Sequence, residues 1–277
     1  MRHLNMRLLL PLAAALSIAA QDINEIVRKS LDREIVNQRN LSNYTWETKT
    51  VSHSTDKSGK VKKTSTETFE NLNIDGTSYK RLIEEDGKPL SERKARREQE
   101  KMDKEIANRK DESDKARRKR LENERKEMEE AIKFRREVME AYTFTLEGEE
   151  TVNGFACWRV AGEPKTGFKP KTREGTWLSK MHGRIWIEKE AFHWAKIKVE
   201  TLDKIRLFGF IAALDQGTTI EVQQMRINEE LWHPRWAKLK ASAHAFFKQF
   251  HGDSETEWRN FRKFQAESKI VGVEEVK

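Results

Sequence analysis

Apolar and charged residues alternate with period two in Ala195-Lys196-Ile197-Lys198-Val199-Glu200, the pattern of a strand with one buried face. Gly183-Arg184-Ile185-Trp186-Ile187-Glu188 alternates in the same way, with Ile185 and Ile187 on one side. Thr218 to Ile227, with Ile220 and Val222, and Ala237-Lys238-Leu239-Lys240-Ala241 continue the series. Turn-type residues bound these runs at Met181-His182-Gly183, Glu188-Lys189-Glu190, Asp215-Gln216-Gly217 and Gly252-Asp253-Ser254. Upstream, Tyr44, Trp46 and Thr48 share one face of a first strand, and Tyr142, Phe144 and Leu146 alternate with Thr143, Thr145 and Glu147. Asp75-Gly76 and Asn153-Gly154 are two-residue hairpin signals, the second leading into Ala156, Trp158 and Val160.

Two stretches switch to helical spacing. Asp22-Ile23-Asn24-Glu25 has the capping-box pattern, and Ile23, Ile26, Val27, Leu31 and Ile35 recur on one face. This predicts an amphipathic helix over residues 23–39 that covers the sheet. From Ser91 to Met139 about two-thirds of the residues are charged, and Gly and Pro are absent. The sparse apolar positions in that segment (Ala95, Met102, Ile106, Leu121, Met128, Ile132 and Val138) lie near helical spacing. Ser113 or Asp114 is placed to cap a second helix. The segment reads as a helical hairpin, or one broken helix, with one edge resting on the body. It is expected to be a semi-independent arm whose flanking strands lie close together.

Charge changes this picture little. The formal charge is +8, but acidic residues are interspersed with basic ones, as on a solvated helix face. The tight basic cluster is Arg117-Arg118-Lys119-Arg120. It suits peripheral contact with an anionic membrane surface, or an exposed face with i+4 partners, Arg118 with Glu122 and Arg120 with Glu124. Eight tryptophans are spread over the strands, where sheet packing accounts for them without a nucleic-acid partner.

Arg2, His3 and Arg7 precede the apolar run Leu8–Leu16 and the small residues Ser17-Ile18-Ala19-Ala20. This is the layout of a secretory signal peptide, with cleavage expected near Ala20. The run is shorter than the roughly 20 residues of a membrane span. No cysteine follows it, so no lipid-modified N-terminus is expected. The single cysteine, Cys157, sits in a strand beside Trp158 and reads as a buried structural thiol. The histidines form no metal-ligand spacing, and there is no phosphate loop or nucleophile elbow. No catalytic residue, metal or cofactor is therefore assigned.

The order of parts then carries a resemblance: an export signal, a covering helix, Tyr44-Thr45-Trp46, a strand ladder, Gly183-Arg184-Ile185-Trp186-Ile187-Glu188, and a last strand closing at Phe261-Arg262-Lys263-Phe264. The chain resembles the outer-membrane lipoprotein-sorting (LolA-like) superfamily, with its relatives LolB, LppX and RseB. The closest match is the strand pattern Gly-x-aliphatic-Trp-aliphatic-acidic. The charged insert is not part of that basic fold, and the first strand carries no arginine. The resemblance implies an unclosed β-barrel with helices as a lid and a hydrophobic cavity for acyl chains.

The expected fold is α+β. A curved antiparallel sheet of about ten strands, an unclosed barrel, is covered by an N-terminal helix and carries the charged insert. Residues 1–20 are the signal, 21–90 the helix and first strands, 91–140 the insert, and 141–277 the rest of the same β domain. The expected task is non-catalytic periplasmic binding of a lipid or lipidated protein. The expected cavity lining is Tyr44, Trp46, Phe144, Leu146, Trp158, Val160, Ile185, Ile187, Ile197, Val199, Ile220, Val222 and Leu239. An envelope sensor or scaffold, binding another protein through the charged helices, is the alternative.

Overall fold

The computed structural model describes residues 22–207, 212–245 and 248–263. The expected export signal lies outside them, as does part of the apolar run at 207–214. The chain begins with α1 (Ile23–Leu41), β1 (Tyr44–Thr55), β2 (Val61–Ile74), β3 (Thr77–Glu85) and the short β4 (Lys88–Pro89). Then come α2 (Glu92–Lys110), α3 (Asp114–Ala141), β5 (Tyr142–Val152), β6 (Phe155–Pro164) and the single-turn α4 (Gly175–Leu178). It continues with β7 (Met181–Glu188), β8 (Trp194–Thr201), β9 (Ile205–Arg206), β10 (Ala212–Leu214), β11 (Thr219–Arg226), β12 (Trp232–Ala245) and β13 (Lys248–Lys263).

Among the described residues these strands form one antiparallel sheet of thirteen, in the order β4-β3-β2-β1-β13-β12-β11-β8-β7-β6-β5, with β9 and β10 to one side. β3–β4 and β5 are its two ends, so the ladder does not close. Local chemistry explains most of the order. Asp75-Gly76 and Asn153-Gly154 both take positive φ at both residues, the geometry that folds β2 onto β3 and β5 onto β6. The pairing of β1 with β13 joins residues about 200 apart and has no local signal. Gly252-Asp253-Ser254 does not turn, contrary to the sequence reading; it lies inside β13, opposite Ser54, His53 and Ser52 of β1. A Cβ on residue 252 would overlap the His53 carbonyl, so Gly252 answers a close approach of two strands.

The α1 helix starts where its cap requires, with the Asp22 carboxylate accepting from the Asn24 N–H at 3.0 Å. Its N-terminal half buries Ile26 and Val27 against Trp158, Val160 and Ile187 of β6 and β7. Each such side chain contributes roughly 1.5–3 kcal/mol. Its C-terminal half is held by polar contacts. The Asn37 amide donates to the Trp232 carbonyl (2.5 Å) and accepts from the Trp232 N–H (2.8 Å), and Asn40 donates to the Glu230 carbonyl (2.7 Å).

The charged segment is a helical pair. No α2 residue is buried, and α3 buries only Glu137 and Ala141. The strands it joins do not neighbour each other: β4 and β5 stand at opposite ends of the ladder. At about 1.5 Å per residue α3 is about 42 Å long, and both of its ends are tied down. Near its start, Arg120 pairs with Asp75 of the β2–β3 turn (2.7 Å) and with Glu112 (2.8 Å), rather than with Glu124. Near its end, Arg135 donates to Gln38 of α1 (2.6 Å), and the buried Glu137 carboxylate accepts the N–H groups of Lys171 and Thr172. That carboxylate pins the Pro- and Gly-containing loop between β6 and β7.

Candidate functional site

Register decides which side chains share the face on which α1 lies. One row of partners crosses the sheet as Leu146, Val160, Ile185, Ile197, Val222, Ala237, Thr256 and Thr50. The next runs as Gly183, Val199, Ile220, Leu239, Ser254, Ser52 and Ser65. Both begin apolar and turn to hydroxyls on β13 and β1; on β2 the first row meets Glu67 and the second Ser65.

The thirteen apolar positions expected to line a cavity divide along these rows. Trp158, Val160 and Ile187 are fully packed beneath α1, with Phe144 and Ile185 against them. Tyr44 is equally buried in a second cluster with Leu231 and Phe261, and Trp46 packs on it. Leu146, on the end strand, is 44% exposed. The remaining five, Ile197 and Val199 of β8, Ile220 and Val222 of β11, and Leu239 of β12, are half-buried and join none of the buried clusters. They form a continuous apolar strip beside the part of the face that α1 covers.

Beyond Leu239 the strip opens into a hollow of about 270 Å³, whose lining includes Leu239, Ala241, Ala243, Ser52, Ser254 and Lys63. A more polar hollow of about 380 Å³ lies among the neighbouring strand ends, lined in part by Asp56, Gly217, Ser242 and His251. There Ser242 Oγ is 2.7 Å from His251 Nδ1; His53, which lines the first hollow, has its Nδ1 2.9 Å from an Asp253 oxygen. Sequence reading missed these polar residues. The pairing of β13 with β12 on one side and β1 on the other assembles them, and a Gly-Asp-Ser run looks like a turn.

The electrostatics of the covered half are those of a closed interior. Burial pushes the Cys157 thiol up to about 11, as an unreactive structural thiol requires. Burial among Trp46, Trp258 and Phe261 holds His233 down at about 4, although its Nδ1–H donates to the Pro234 carbonyl at 2.8 Å. No group of three His, Cys, Asp or Glu side chains is placed to hold a metal among the described residues. No helix among them is long and apolar enough to cross a membrane.

No family model and no curated protein matches the sequence. Solved structures similar in outline include a DUF1329 family protein from Desulfovibrio piger, 11% identical, TM-score 0.35, covering 89% of this chain and 95% of that one. A LolA superfamily protein from Nitrosomonas europaea is 8% identical with TM-score 0.32, over 87% and 92% of the two chains. A chain of the Pseudomonas aeruginosa MucA/MucB complex is 8% identical with TM-score 0.24, over 88% and 99%. One of the three bears the name of the superfamily the sequence resembles. Likeness at this level carries no residue roles to this chain.

Proposed function

We propose that this chain binds an acyl chain, of a free lipid or of a lipidated protein, without catalysing a reaction. The observation that carries the reading is the half-buried strip Ile197, Val199, Ile220, Val222 and Leu239, which continues the core face past the edge of α1 and ends at an open hollow. An apolar strip of this kind gains roughly 25 cal/mol for each Å² it hides from water. The side chains along it are aliphatic and then hydroxylic, suited to holding a chain. The export-type N-terminus and the resemblance read from the sequence support a periplasmic site of action.

A polar side chain separates a binding strip from a packed core. Val160→Asn places an amide in the closed interior and is expected to cost roughly 2–4 kcal/mol in urea unfolding. Leu239→Asn leaves its amide hydrated, so it should cost less than about 1 kcal/mol while displacement of a fluorescent fatty acid weakens sharply. Strong destabilisation by Leu239→Asn, with no probe bound by wild type, would remove the carrier reading.

The scaffold reading has one observation in its favour. Ile106 of α2 and Leu121 of α3 are 45% and 44% exposed on the charged helices, where a partner protein could cover them.

A further inference from the structure

The strip changes character along its length, and the change points to a class of ligand. Within one row, Val199, Ile220 and Leu239 give way to Ser254, Ser52 and Ser65. In the adjacent row Ile197, Val222 and Ala237 give way to Thr256 and Thr50, whose hydroxyls meet at 3.1 Å. The face is thus aliphatic over β8, β11 and β12 and hydroxylic over β13 and β1, and on β2 it carries Ser65 with Glu67 beyond it. The hollow lies across that boundary.

One side chain lining the hollow carries a cationic head that no carboxylate among the described residues neutralises. Lys63 of β2 stands opposite Ser54 and is exposed, and it makes no ion pair among the described residues. Some cations on the other strands are neutralised instead: Lys196 pairs with Glu221, Lys238 with Glu255 and Arg259 with Glu47. Asp253 also lines the hollow, but its carboxylate is engaged by His53. Glu67, the next carboxylate along β2 on the side of Lys63, lies four residues away, about 13 Å in an extended strand. An aliphatic track leading to hydroxyl donors and an unpaired ammonium group complements an amphiphile with an anionic head.

Resting on the acyl-binding reading, we propose that the ligand is a single-chain anionic amphiphile. Its chain lies on Ile197, Val199, Ile220, Val222 and Leu239. Its carboxylate or phosphate head sits over Ser52, Ser254 and Ser65 against Lys63.

The test compares three ligands of one chain length, each below its critical micelle concentration: a fatty acid, a lysophosphatidate and a neutral monoacylglycerol. Wild type should bind the two anionic ligands about two- to fivefold more tightly than the neutral one. Lys63→Glu should abolish that preference and leave monoacylglycerol binding unchanged, and Lys63→Arg should keep the preference. Lys240→Glu, on the opposite face of β12, should change none of the three. Whichever anionic ligand loses more affinity in Lys63→Glu identifies the head as carboxylate or phosphate. Equal binding of all three ligands, unaltered by Lys63→Glu, would overturn the headgroup site and leave the acyl reading standing. If wild type bound none of the three, both would fall.

Discussion

His233 is the residue whose protonation bears most directly on folding. In the folded chain burial holds its imidazole at about 4, against an ordinary value of 6.5. Between those two pH values the unfolded chain takes up a proton at this position and the folded chain does not. The stability it contributes is therefore complete above pH 6.5 and is lost as the pH falls toward 4, by up to roughly 3 kcal/mol. His233→Phe keeps the aromatic packing and should flatten that part of the pH dependence, read from urea midpoints between pH 7 and pH 4. Glu137 is the carboxylate counterpart. Burial acts to raise its pKa, but the hydrogen bonds from Thr172 and from the Lys171 and Thr172 backbone outweigh burial and hold it below the ordinary 4.5. Its contribution is present above the unfolded carboxylate range and disappears as the pH falls through the folded value. Glu137→Gln should cost roughly 1.5–3 kcal/mol at pH 7, and the gap to wild type should close in acid. Nothing in the sequence distinguishes Glu137 from the other carboxylates of the charged segment, because its donors come from a loop about 34 residues away.

At the level of elements, α1 is fastened in two different ways. Ile26 and Val27 hold its first half by apolar packing, which the helical spacing of the sequence already displays. Asn37 and Asn40 hold its second half by hydrogen bonds to Trp232 at the start of β12 and to Glu230 just before it, partners about 190 residues distant that no local pattern reveals. Asn37→Ala leaves the Trp232 N–H and carbonyl without this partner, and should cost roughly 1–3 kcal/mol. Because the lost bonds lie at one end, hydrogen exchange should speed up over residues 34–41 more than over residues 23–31. The charged helices were legible as helices from composition alone. Their role as a link between opposite ends of the sheet was not legible, since strand order is set by pairings such as that of β1 with β13. Arg120→Ala removes the tie to Asp75 and Glu112, both partly exposed. It should change global stability by less than about 1 kcal/mol while raising amide exchange around residues 110–122.

For the whole molecule, alternation and turn chemistry made the antiparallel architecture readable. The Asp-Gly and Asn-Gly turns formed where their need for positive φ placed them. What alternation could not show is how much of the apolar face its own helices cover. Trp158, Val160 and Ile187 obey the same pattern as Val199, Ile220 and Leu239, yet α1 closes over the first set and leaves the second half open. The proposed function depends on that difference in cover. The most direct measurement is photolabelling with a fatty acid carrying a diazirine near its methyl end, followed by peptide mapping. Acyl binding on the open strip predicts crosslinks on β8, β11 and β12, centred on Ile197, Val199, Ile220, Val222 and Leu239 and competed away by unlabelled fatty acid. Crosslinks confined to α2 and α3, or labelling that excess fatty acid does not compete, would contradict it.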